Sequence, residues 1–85
     1  MSHKTFTYSP SGCDSYQDRI AVPKDADPKI HRYLSMICCW GGPDARWVDS
    51  KGDVWLSYEI PNPIVGRVRG RLRHNLGMTQ VSEDW

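Results

Sequence analysis

At 85 residues the chain has room for one domain, and a chain this short buries only roughly 60–65% of its unfolded surface, so its core must use large side chains. Four Trp, four Tyr and one Phe meet that need, each large aromatic burying about 150–250 Å². A formal net charge of +1 excludes a globally basic nucleic-acid protein and an acidic DNA mimic, and no stretch approaches the ~18 apolar residues that span a bilayer.

The amino terminus, Met1-Ser2-His3-Lys4-Thr5, lacks the apolar centre of a secretion signal. Cys13, Cys38 and Cys39 are odd in number and two are neighbours. Adjacent residues on a helix point about 100° apart, which does not suit a bridge. All three are therefore expected as reduced thiols, in a cytoplasmic protein.

Thr5-Phe6-Thr7-Tyr8 alternates polar and aromatic side chains and reads as a short strand, stopped by Ser9-Pro10-Ser11-Gly12. Cys13 to Arg19 is polar and carries little signal. Ile20-Ala21-Val22 is apolar and ends at Pro23, as an edge strand or extended arm would. The two pieces are candidates for a hairpin.

Asp27 then offers an N-cap, with Pro28 at the first helical position where its missing N–H costs nothing. Ile30, Tyr33, Leu34, Ile37 and Cys38 follow the spacing of one helical face, and Gly41-Gly42-Pro43 ends the run. This pattern puts Trp40 at the edge of that face near Tyr33, and Cys39 on the polar side with Arg32 and Ser35.

Ala45 to Ile60 reads as a hairpin around Asp49-Ser50-Lys51-Gly52, a type I turn followed by a left-handed glycine. In that register Val48 faces Val54 and Trp47 faces Trp55. Val54, Leu56, Tyr58 and Ile60 share one face; Trp55, Ser57 and Glu59 share the other. Asn62-Pro63 opens a second helix by the same cap-then-proline logic, and Gly77 closes it. Its apolar stripe is Ile64, Val65, Val68, Leu72 and Leu76. The tail from Met78 is polar until Trp85.

The second helix concentrates positive charge. Arg67, Arg69, Arg71, Arg73 and His74 fall within eight residues, with no acidic residue from Pro61 to Leu76. Arg67, Arg71 and His74 flank the stripe on one side, and Arg69 and Arg73 lie towards the other side and the back, the part expected to be most exposed. Guanidinium offers paired donors that match phosphate or carboxylate oxygens. The arginines can also be a solvated face with some of them paired to Asp or Glu elsewhere. Gly66 and Gly70 sit on the back of this helix, each costing about 1 kcal/mol relative to Ala. That cost suggests a close backbone approach, either by this chain's own amino-terminal arm or by a partner.

Trp47 and Trp55 form a second candidate site, because exposed aromatics are enriched among interface hot spots. The cysteines and His3, His31 and His74 are scattered with no C-x-x-C or H-x-x-x-H pair, so no metal or other cofactor is expected. Gly41-Gly42 is too short for a phosphate loop and follows a helix. A nucleophile such as Cys13 or Cys39 near His31 or His74 is supported by residue type alone.

The chain is thus expected to be one α+β domain over residues 1–85, a small antiparallel sheet of amino-terminal strands and a central hairpin packed with two helices. Its expected role is a non-enzymatic protein-binding module. Its size is that of accessory or phage-type inhibitors of larger host protein complexes. The partner-binding candidates are Trp47, Trp55, Arg67, Arg69, Arg71, Arg73 and His74. Nucleic acid bound along residues 63–76 is the alternative, and no membrane partner is expected.

Overall fold

The structure, a computed structural model, describes residues 4–10 and 17–81. His3, Cys13 and Trp85 lie outside these, as does the Ser11-Gly12 part of the first expected turn. The elements are β1 (Thr5–Ser9), β2 (Gln17–Pro23), α1 (Pro28–Ile37), β3 (Ala45–Val48), β4 (Val54–Pro61), α2 (Asn62–His74) and β5 (Thr79–Val81). The fold is α+β: one five-stranded sheet in the order β3-β4-β2-β1-β5, with both helices contributing to a single core on one of its faces.

Alternation decides which face that is. β1 and β2 pair antiparallel with Tyr8 opposite Ile20, and β2 pairs antiparallel with β4 with Ile20 opposite Tyr58. Phe6, Ile20, Val22, Tyr58 and Ile60 therefore point the same way, and they meet Ile30 and Leu34 of α1 and Val65, Val68 and Leu72 of α2. Truncating a fully buried member such as Leu34 to Ala costs about 2–5 kcal/mol.

The expected β1–β2 hairpin forms, but β2 is a central strand and not an edge. Pro23 is tolerated because it is the strand's last residue, and pairing resumes where Lys24 N–H donates to Val54 O at 2.8 Å. The tail adds a strand that three short residues could not announce. β5 runs parallel to β1, making the sheet mixed, and is anchored by buried Met78 and by Thr79 N–H donating to Lys4 O at 2.7 Å.

The β3–β4 hairpin takes the expected register, Trp47 opposite Trp55 and Val48 opposite Val54. Asp49 Oδ1 accepts from the N–H groups of Lys51 and Asp53, both at 2.9 Å, and Gly52 takes φ 89°. The α1 cap is also as expected, Asp27 accepting from Lys29 N–H at 2.9 Å. The helix, however, ends at Ile37, before Cys39 and Trp40. The chain turns there so that Cys39 N–H can donate to Glu59 O at 2.9 Å, so neither residue lies on a helical face. At α2 the cap position is Pro61 and no side chain caps it. Asn62 is the first helical residue, and its amide donates instead to Asp18 Oδ2 at 3.1 Å.

Candidate functional site

Burial of Val65, Val68 and Leu72 turns the opposite side of α2 to solvent. Gly66 and Gly70 lie there, and a Cβ placed on either meets nothing within 4 Å among the described residues. Among the described residues, the expected close approach of this chain's own backbone is therefore not seen, because the amino-terminal strand lies in the sheet, on the other side of the helix.

The basic residues of α2 divide into two groups. Arg69 is half-buried: its guanidinium lies 3.9 Å from the centroid of the Tyr8 ring, and its Nε and Nη2 donate to Gln80 Oε1 at 3.2 and 2.9 Å. Arg73 Nη1 donates to the same oxygen at 3.3 Å. Arg69 thus ties α2 to β1 and β5 instead of standing at the exposed back as expected. Tyr8 in turn donates to buried Asp18 at 3.0 Å. Burial raises the Tyr8 hydroxyl pKa, and Asp18 raises it further.

Arg67, Arg71 and His74 form the second group and are exposed. The Arg71 guanidinium lies 5.1 Å from the Tyr33 centroid, on the α1 side. Burial raises the Tyr33 pKa, while the charges of Arg71 and Arg67 oppose the rise. No α2 arginine pairs with a carboxylate among the described residues; the bidentate ion pair Arg19–Asp44, at 2.9 and 3.0 Å, is elsewhere. Among the described residues, the expected pairing of some α2 arginines to Asp or Glu is not seen.

Among the described residues, charge is segregated by layer. Lys29 and Arg32 on α1 and the four α2 arginines all belong to helices without a single Asp or Glu. Asp18, Asp25, Asp27, Asp44, Asp49, Asp53 and Glu59 lie in strands and loops. A net charge near zero thus conceals a cationic helix layer.

The tryptophans lie on the other face of the sheet, so the two halves of the expected binding set do not converge. Trp47 and Trp55 stack with centroids 5.2 Å apart and planes within 5°. Trp55 is only 5% exposed and its Nε1 donates to Asp49 Oδ2 at 2.9 Å. Trp55 is therefore buried on that second face, while Trp47 is half-buried over it.

Three large apolar side chains are exposed among the described residues, Val48 at 57% in the hairpin and two more on or beside α1. Met36 is 77% exposed and Trp40 69% exposed, the latter with its Nε1 donating to Glu59. Met36 was legible as a long apolar side chain on the polar side of α1; Trp40 was not, since its exposure follows from the early end of the helix. His31 was also missed. Its Nδ1 lies 2.6 Å from the Tyr58 hydroxyl and its Nε2 lies 3.1 Å from both Pro23 O and Lys24 O. Carbonyls only accept, so in the neutral ring Nε2 carries the hydrogen and Nδ1 accepts from Tyr58, whose oxygen is in turn bonded by Ser35. This half-buried chain joins α1 to β4 and to the end of β2.

Cys38 and Cys39 are free thiols, the first half-buried and the second exposed. Among the described residues, no group of three or more His, Cys, Asp or Glu is placed to hold a metal ion, and no helix is long and apolar enough to cross a membrane. In comparisons with known proteins, no family, no curated protein and no solved structure matches the chain.

Proposed function

We propose that this protein is a non-enzymatic binding module that docks through α2 on an acidic surface of a larger protein and modulates it in the cytoplasm. The observation that carries this reading is the exposure of Arg67, Arg71 and His74, free of carboxylate partners among the described residues, in a helix layer without acidic residues. Unpaired guanidinium groups held on a rigid helix supply charge-assisted hydrogen bonds at little ordering cost. Trp47 and Trp55 serve this reading as the support that makes the sheet rigid.

A nucleic-acid ligand is the second reading, favoured by the open glycine strip between the two rows of arginines. It is the weaker one. Internal contacts occupy Arg69 and Arg73, leaving few cations for phosphates, and a net charge of +1 gives little long-range attraction.

The deciding experiment is affinity purification from lysate with and without nuclease, using wild type and Arg67→Glu/Arg71→Glu. The expected result is a protein that survives nuclease and is lost with the double variant. Recovery of nucleic acid alone, released by moderate salt, would transfer the assignment to the second reading.

A further inference from the structure

The seam between α1 and α2 combines features that single out one kind of partner. Arg71 reaches across it to Tyr33, so the two helices are neighbours on the sheet. A cation stacked on a ring by its face keeps its N–H edge available for an acceptor in plane. One turn beyond Tyr33 on α1 stands Met36, 77% exposed. Arg71 and Arg67 act on Tyr33 from the α2 side; His74 continues their row by helical spacing, α1 carries Lys29 and Arg32, and neither helix has a carboxylate.

Resting on the docking reading above, we infer that this seam is a groove for an acidic amphipathic helix. Its apolar residues cover Met36 and Tyr33, and its carboxylates meet Arg67, Arg71 and His74. The spacing suits a helix. These three residues are at i, i+4 and i+7, about 6 and 10 Å along the axis, so Glu or Asp at the same spacing on a partner helix meets them in turn. Methionine is enriched at protein interfaces, where its flexible thioether fills an apolar contact. A sugar–phosphate backbone has no apolar side chain to cover Met36, which separates this partner from a nucleic acid.

The test uses three probes at physiological ionic strength, read by fluorescence anisotropy. One is a synthetic helical peptide of about 18 residues with Glu at i, i+4 and i+7 beside a Leu stripe. The second has the same composition, scrambled to destroy the stripe, and the third is duplex DNA. The patterned peptide is expected to bind, about tenfold more weakly to Arg67→Glu/Arg71→Glu and about threefold more weakly to Met36→Ala. Its saturation is also expected to move the Met36 methyl resonance. Equal binding of the scrambled peptide, or an unmoved Met36 methyl, overturns the groove while leaving a cationic docking surface intact. DNA binding tighter than the peptide overturns the groove and the acidic-protein reading together. If no probe binds, the groove fails, and the lysate experiment then decides the broader reading separately.

Discussion

Arg69 lies over the Tyr8 ring at 3.9 Å while Gln80 holds the edge of its guanidinium, so one side chain joins α2 to both β1 and β5. Stacking of this kind contributes about 0.5–2 kcal/mol. Arg69→Ala is therefore expected to lower the unfolding free energy by about 1–2 kcal/mol, and Arg67→Ala, on the exposed row, by less than about 0.5 kcal/mol. Urea denaturation of both variants checks this. Equal midpoints would remove the distinction between a structural and an available arginine.

Among the described residues, the two glycines of α2 have open space where a side chain would stand. Gly66→Ala and Gly70→Ala should each stabilise the fold by about 0.4–1 kcal/mol, mainly by restricting the unfolded chain. A fall in melting temperature for either variant would show that something occupies that side of the helix.

Trp55 is buried against Trp47, so Trp55→Ala should cost about 3–5 kcal/mol. Trp55→Phe keeps most of the packing but removes the donor to Asp49. That hydrogen bond is the main reason the Asp49 carboxyl pKa lies below its ordinary 3.8. A depressed folded pKa means the stabilising contact is fully present above the unfolded value and is lost as pH falls through the folded one. In Trp55→Phe the Asp49 carboxyl should titrate at higher pH than in wild type, as read from its carboxyl carbon shift by NMR.

Cys39 is exposed, yet its thiol pKa is raised above the ordinary 9.0, by burial first and then by Glu59, Cys38 and Asp44. Less thiolate at neutral pH means slower alkylation. The pH–rate profile of iodoacetamide modification should reach half-maximum above that of a free cysteine, and Glu59→Gln should shift it down. A midpoint below the free value contradicts the described surroundings.

His31 should be locked as the Nε2–H tautomer when neutral, since two carbonyls face that nitrogen and Tyr58 faces the other. Imidazole nitrogen chemical shifts distinguish the tautomers directly. An Nδ1–H signal would require Tyr58 to accept, and would reverse the chain from Ser35.

Local chemistry by itself determined much of this protein. The Asp27-Pro28 start of α1, the turn at Asp49–Gly52 with its paired tryptophans, and the apolar stripe of α2 all depend on residues within a few positions of one another. Their propensities agree with their surroundings, so they read correctly. Tertiary structure decided the rest because those outcomes depend on contacts far apart in sequence. β2 became central and β5 became a strand only when β4 and β1 offered them partners. Helical periodicity put arginines on both sides of the α2 stripe, but it could not tell which side would find Tyr8 and Gln80 and which would find only Tyr33. The Trp47–Trp55 pair was likewise visible as a pair, while the burial of Trp55 was not. Whether a sheet face is free or covered is settled by what packs over it, and a strand's own alternation carries no record of that.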